Sequence, residues 1–475
     1  MGSLLSLPSR AQPIEYFQSS ETEECKRLRM PPSYEDESNR LIPSLPHEVS
    51  LEILARVPRI CYLNMKMVSR NWKAAIIGSE LYQLRKELGR TEEWLYILTK
   101  VEEDKLACHA LDPLSGRWQK LPPMPTAACE EKTQMGFSGL CLQNVMDSSI
   151  KIADIIRGWL GRRDASLKMQ TCGCASGAVD GCLYVLGGFS RSSATKCVWR
   201  YDPCANLWHE ASPMTTGRAF CKTSLLDNKL YVVGGISRVR GGFTPLQSAE
   251  VYDPQRDLWT QMPSMPFSKA KLSPTPFLAE LLKPVAIGVT SYRGRLCVPQ
   301  SLYSWPLFVD VRGEIYDPGT NTWVEMPAGM GEGWPAKQAG TKLSAVLNNE
   351  LYALDPFGSL DGGQLKVYDH QDDAWKVVIG DVPVHNLSNC ETPYLLASFL
   401  GKLHLIAKDI NNDASILQAD LKRLCCSYCT SSSSPIISSS QIPEKLNETE
   451  PDFWEVIATK NFGTAEFVSC QVLSI

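Results

Sequence analysis

Cys172-x-Cys174 and Cys425-Cys426-x-x-Cys429 are thiol groups close enough in sequence to share a metal ion. A structural zinc is held by four nitrogen or sulfur ligands in a tetrahedron. Neither group is followed by a second pair at zinc spacing, so no metal site and no cofactor is expected. The six histidines (His47, His109, His209, His370, His385 and His404) form no cluster with tyrosines, and no nucleophile motif occurs. No catalytic residue is expected. Seventeen cysteines, odd in number and scattered, follow an N-terminus (MGSLLSLPSR) too short and too quickly polar to be a secretory signal. They are expected to be reduced thiols packed as small apolar residues.

A second kind of chemistry is recognition. Arg191, Arg218, Arg238, Arg240 and Lys337 fall in short turn-like segments, and Tyr303, Trp305 and Trp334 fall in others. Cations beside aromatic anchors suit an acidic or phosphorylated peptide. The chain as a whole carries a net charge of −4 with 21% charged residues, which gives no electrostatic case for nucleic acid or an anionic membrane. No run of about 18 apolar residues appears, so no transmembrane segment is expected.

The elements that would position these groups repeat. An Asp lies six residues ahead of a Trp at Asp112–Trp118, Asp202–Trp208, Asp253–Trp259, Asp317–Trp323 and Asp369–Trp375. Tyr precedes the Asp at Tyr201, Tyr252, Tyr316 and Tyr368, and upstream lie short apolar runs such as Leu183-Tyr184-Val185-Leu186-Gly187-Gly188. A unit of roughly 50 residues made of short strands and turns predicts a propeller with one four-stranded sheet per blade. Asp180-Gly181, Asp227-Asn228, Arg293-Gly294, Asn348-Asn349 and Gly401-Lys402 are read as hairpin turns between first and second strands. With Trp454 added, the count is six blades. The first unit opens at Trp94-Leu95-Tyr96-Ile97-Leu98 with no first strand. The surplus segment Phe467–Leu473 is expected to supply it and close the ring.

The double glycine, the Tyr-Asp element and the spaced Trp resemble the kelch repeat over about residues 94–475. Gly-Gly is replaced by Val298-Pro299 and Asp355-Pro356 in blades four and five. The resemblance implies that Arg218 stands where kelch blades often carry a ligand-facing Arg, with Lys337 at a similar place. Inserts are read as a helix at about 143–162, a shorter helix at 277–282 and a disordered loop at about 427–450. Residues 1–40 are read as a disordered tail.

Residues 41–86 differ. Val49, Ile53, Leu54 and Val57 have helical spacing stopped by Pro58, and Leu63, Met67, Val68, Trp72 and Ile76 follow. Leu45-Pro46, the central Glu-Ile-Leu-x-x-Val-Pro and Val68-Ser69-Arg70-Asn71-Trp72 resemble the F-box in content and order. The expected fold is mainly β: a six-bladed kelch-type propeller preceded by a small all-α F-box module.

Together the parts resemble plant F-box/kelch-repeat proteins. The resemblance implies a non-catalytic substrate receptor of an SCF-type ubiquitin ligase, in the cytoplasm and/or nucleus. It would bind a Skp-type adaptor, and through it cullin and RING subunits, by Leu45, Pro46, Ile53, Leu54, Val57, Pro58, Leu63 and Val68. The propeller loops would hold an unknown protein substrate. Alternatives are a non-ligase kelch scaffold or cytoskeletal binder, or a kelch-type copper oxidase. Met1-Gly2-x-x-x-Ser6 also fits the N-myristoylation pattern at Gly2. One acyl chain would anchor the protein only marginally.

Overall fold

The computed structural model describes residues 40–101, 105–125, 173–189, 193–239, 242–266, 283–301, 312–334, 343–355, 363–382, 394–409, 411–419, 421 and 453–475. The expected tail, both helical inserts, the 427–450 loop, Gly2 and the Cys425 group lie outside these residues.

Six four-stranded antiparallel sheets form the blades of a propeller. Blade two shows the plan: Ala175–Val179, Cys182–Leu186, Val198–Asp202 and Leu207–Ala211, in that order from the axis outward. The six innermost strands each touch the next, which closes the ring: Ala175–Val179, Lys222–Leu226, Thr290–Tyr292, Ser344–Leu347, Leu395–Phe399 and Glu466–Ser474. The last of these comes from the C-terminus and pairs antiparallel with Glu93–Lys100, from Glu93 opposite Ser474 to Lys100 opposite Glu466. It is the inner strand of blade one.

The turns follow from backbone sterics. Two-residue hairpins of this hand need φ > 0 at both positions. Asp180 (φ 48°) and Gly181 (67°), and Asn348 (50°) and Asn349 (66°), meet that need. In blade six the pair is Leu400 (51°) and Gly401 (67°), one residue earlier than the sequence reading, because Lys402 already begins the next strand.

The Asp–Trp spacing encodes two separate jobs. The Asp carboxylate caps the turn between the third and fourth strands: Asp202 Oδ1 accepts from Cys204 N (2.8 Å) and Asp369 Oδ1 from Gln371 N (2.8 Å). The Trp indole reaches into the previous blade. Trp208 donates to Pro122 O (3.0 Å), Trp259 to Ser212 O (2.8 Å), Trp323 to Pro263 O (2.7 Å) and Trp375 to Met330 O (3.0 Å). Trp118 joins blade one to blade six through Thr459 O (3.2 Å). Each Trp is thus both wedge and staple.

A third element was hidden inside this spacing. The Tyr hydroxyl donates to a side chain five residues on: Tyr201 to Asn206, Tyr252 to Asp257, Tyr316 to Asn321 and Tyr368 to Asp373, at 2.6–2.7 Å. Those acceptors all have φ between 47° and 57°, a conformation Asn and Asp tolerate. In blade one the Tyr is replaced by Leu111, and Gly116 (φ 63°) supplies the turn instead. The two residues change together because one exists to hold the other.

The double glycines meet the loop entering the next blade. A Cβ on Gly187 would lie 2.2 Å from Arg218 O, and Gly188 N donates to that same oxygen (2.8 Å).

Blade four holds an uncompensated carboxyl. Glu314 lies two residues before Tyr316, as Glu250 lies before Tyr252, yet its Oε2 is buried without a hydrogen-bond partner among the described residues. Burial, with Glu325 nearby, pushes its carboxyl from 4.5 up to about 7. The folded state therefore holds this proton more tightly than the unfolded one. Its contribution is fully present below about pH 4.5 and lost as pH rises through about 7. Glu314→Gln should raise the melting temperature at pH 8 and flatten the dependence across that window. Parallel pH slopes for the two proteins would refute the assignment.

The N-terminal module consists of α1 (His47–Ala55), a 3₁₀ turn (Arg59–Cys61), α2 (Tyr62–Met65), α3 (Arg70–Ile77) and α4 (Ser79–Glu87). Ser69 Oγ caps α3 by accepting from Trp72 N (3.1 Å). Leu41, Leu51, Leu54, Ala55, Tyr62, Ile76 and Leu81 form its own core. Arg85, itself buried, donates to Ala55 O (3.1 Å), Val57 O (2.8 Å) and the Tyr62 hydroxyl (2.9 Å), closing the end of α1.

Candidate functional site

The helical module is bolted to one end of the propeller. Glu92 is the hub: its Oε1 accepts from Arg85 Nη2 (2.8 Å) and Arg59 N (3.0 Å), and its Oε2 from the Trp94 indole (3.2 Å). Glu92 and Ile475 exchange backbone hydrogen bonds (2.8 and 2.9 Å), so linker and closing strand meet here. Arg59 stacks over Trp94 (5.6 Å) and donates to Pro203 O (2.5 Å). Lys66 donates to Cys204 O (2.8 Å). Tyr82 sits so close to Gly181 that a Cβ there would meet its hydroxyl at 2.5 Å.

Pro203 and Cys204 belong to the turn between the third and fourth strands of blade two, and Gly181 to the turn between its first and second. In an antiparallel blade both turns lie at the same end. The loops joining second to third strands, and one blade to the next, lie at the other. They are knitted together there: Ala219 N donates to Ile236 O (2.9 Å) and Met214 N to Lys196 O (2.9 Å). The helical module and the loop face therefore occupy opposite ends of the propeller.

The module keeps apolar side chains in solvent. Val49 (43% exposed), Ile53 (42%), Leu63 (44%), Met67 (78%) and Val68 (62%) are uncovered by the module's core or by the propeller. On α1, Val49 and Ile53 are one turn apart on the outward face, while Leu51 and Leu54 face inward. Of the residues assigned to an adaptor face, Ile53, Leu63, Val68, Pro46 and Pro58 are exposed, and Leu45 and Val57 half-buried. Leu54 is completely buried and supports the face from within. Val49 and Met67 were missing from that set. The signal was present, since each is an i, i+4 neighbour of an assigned residue.

The loop face differs more from expectation. Arg218 is 0% exposed. Its Nε and Nη2 donate to Glu250 Oε1 (3.0 and 2.9 Å), Nη1 to Gly234 O (3.0 Å) and Ser248 O (2.7 Å), and Nη2 also to Ser248 Oγ (2.9 Å). Glu250 also accepts from Thr215 N, Thr215 Oγ1 and Thr216 N (2.7, 2.7 and 3.1 Å). This arginine fixes the loop rather than facing a ligand. Trp334 is likewise buried, edge-on to Trp375 at 5.3 Å, in the seam between blades four and five. Arg238 lies on the hairpin Ile236–Val239 and Gly242–Pro245. Arg191, Arg240, Tyr303, Trp305 and Lys337 lie outside the described residues.

Among the described residues, no three His, Cys, Asp or Glu side chains are placed to hold a metal ion. Burial pushes the Cys182 and Cys221 thiols up to about 11 and Cys297 up to about 12, so all three stay protonated at neutral pH. Among the described residues no helix is long and apolar enough to cross a membrane.

Comparison with known proteins agrees with this division. The F-box domain matches residues 42–84, and the Kelch motif matches 170–215 and 217–266, the two blades with a double glycine. The F-box/kelch-repeat protein At1g22040 of Arabidopsis thaliana is 56% identical, covering 100% of both chains. The F-box protein AFR of the same plant is 26% identical over 68% of this chain and 70% of its own length. The F-box/kelch-repeat protein At1g67480, also from that plant, is 31% identical over 46% of this chain and 61% of its own. With a full-length relative at that identity and a helical module set before a six-bladed propeller, the chain belongs to the plant F-box/kelch-repeat proteins.

Proposed function

We propose that this protein is the substrate-recognition subunit of an SCF-type ubiquitin ligase. The helical module binds a Skp-type adaptor, which carries the cullin and RING subunits, and the opposite loop face captures the target protein. One observation carries this reading. Five apolar side chains stay in solvent on a module that already has a complete core of its own. Water disfavours such a patch, and a partner's apolar surface removes it.

The chain performs no bond chemistry in this scheme. It raises the effective concentration of target lysines near a loaded conjugating enzyme. The Glu92 hub and the Arg59–Trp94 stack matter because a loose module would spread the target over a larger volume. From the sequence, Arg191, Arg238, Arg240 and Lys337, with Tyr303 and Trp305, are assigned to capture of an acidic or phosphorylated peptide. Arg218 and Trp334 drop out of that set.

The test is titration calorimetry of the full chain with a Skp-type adaptor, comparing wild type with the Ile53→Glu, Val68→Glu double variant. Both residues are exposed, so the melting temperature should hold within about 2 °C, as surface changes rarely exceed about 0.5 kcal/mol. Adaptor affinity should fall at least about 100-fold through burial of unpaired charge. Equal affinity for both proteins, or no binding by wild type, would favour a scaffold acting through the propeller alone.

A further inference from the structure

The inner strands of blades one, two, three and five, with Gly288 and Val289 just before that of blade four, line a cavity of about 90 Å³ near the propeller axis. It lies at the leading ends of these strands, beside Phe220, Cys221 and Leu343, which belong to the segments entering blades three and five. That is the loop face, not the end that carries the F-box. A water needs roughly 10–15 Å³ of such space, so the cavity has room for one small polyatomic ligand.

Among the described residues its lining is neutral except at one point. Ser176, Thr223, Ser344, Ser469 and Gln471 present hydroxyls and an amide, and of these residues Lys222 brings the one full charge. The collar is ordered. The Ser176 and Ser469 hydroxyls are bonded to each other, and the Thr223 hydroxyl donates to Ser176 O. Gln471 Nε2 donates to that same oxygen (2.7 Å), and Ser344 Oγ pairs with Thr290 Oγ1 (2.5 Å). Among the described residues no carboxylate lines the cavity, and no ion pair or hydrogen bond ties the Lys222 ammonium.

A cation held in such a place is costly without a counter-charge. Desolvation lowers the half-buried Lys222 amine from 10.5 to about 8. The residue nonetheless opens the inner strand of blade three, where a neutral side chain would satisfy packing alone.

We propose that the axial cavity is a binding site for a small oxyanion, a carboxylate or phosphate group paired with the Lys222 ammonium and hydrogen-bonded by the serine hydroxyls of the collar that keep a proton to donate, one from the Ser176–Ser469 pair and that of Ser344. The anion sits at the base of the loop face, where it shapes the surface offered to a target. This inference does not depend on the ligase reading, because it concerns the propeller alone.

The experiment is thermal melting and titration calorimetry of the full chain at pH 7 with inorganic phosphate and, separately, malonate. Ionic strength is held constant with chloride. Wild type should show saturable binding and a rising melting temperature with at least one of the two, and the stronger ligand tells phosphate from carboxylate. Lys222→Met should bind at least about ten-fold more weakly, as expected for losing a charge-assisted contact, while Lys222→Arg retains binding. Without ligand, Lys222→Met should melt no lower than wild type, which separates lost binding from lost folding. No saturable response in wild type beyond the chloride control, or an equal response in Lys222→Met, would overturn the proposal.

Discussion

Arg218→Ala should destabilise the propeller by about 3–5 kcal/mol, the range for removing one partner of a buried ion pair. Both side chains of the Arg218–Glu250 pair are wholly inaccessible to solvent. Removing the guanidinium leaves the Glu250 carboxylate with only the Thr215 and Thr216 donors, strips Gly234 O of its Arg218 donor and leaves Ser248 O with Gly234 N alone. The backbone bond from Gly188 N to the carbonyl of residue 218 survives the change, so the loss is confined to the side-chain contacts. A double variant, Arg218→Met with Glu250→Leu, should recover part of the loss, since paired apolar groups avoid the stranded charge. Urea unfolding of the three proteins measures both effects. A loss below about 1 kcal/mol for Arg218→Ala, the value of an exposed pair, would contradict the structural role. Adaptor binding should be unchanged in any variant that remains folded, because the F-box lies at the other end.

Deleting residues 464–475 should abolish cooperative melting of the propeller. The deletion removes the inner strand of blade one, with the buried Phe467, Cys470 and Leu473, and strips the pairing from Glu93–Lys100. It also opens the ring, because the lost strand touches the inner strands of blades two and six. The backbone exchange between Ile475 and Glu92 goes with it, so the F-box mount loosens as well. An open array exposes unpaired edges and apolar faces. Circular dichroism and calorimetric melts of the truncated chain check this. A transition matching the full chain in midpoint and enthalpy would refute ring closure as the basis of stability.

The blades were legible in sequence because one turn compresses two requirements into a fixed spacing. An Asp must cap the turn and a Trp must open the following strand, so neither can drift. The Tyr-to-Asn or Tyr-to-Asp bond was equally regular, at five residues, yet went unread because Asn and Asp alternate there and each is common in turns. Arg218 was misread for a different reason. A loop arginine looks the same whether it faces water or a partner, and Glu250 lies 32 residues away on another strand. Nothing local says that the two meet in the interior. Trp334 follows the same logic, since its cover is Trp375 of the next blade. On α1 the sequence shows apolar residues on two faces. Periodicity finds the helix, but only the packed core reveals that Leu51 and Leu54 are inside and Val49 and Ile53 outside. The Glu92 hub was invisible because its partners come from α4, the 3₁₀ turn and the first propeller strand, which tertiary packing alone brings together.

Hydrogen–deuterium exchange of the full chain, with and without a Skp-type adaptor, tests the central claim most directly. The adaptor should protect amides in α1, α2 and the turn through Val68, and leave the propeller loops at the opposite end unchanged. Protection confined to the propeller, or none at saturating adaptor, would contradict a receptor that holds its ligase at one end and its target at the other.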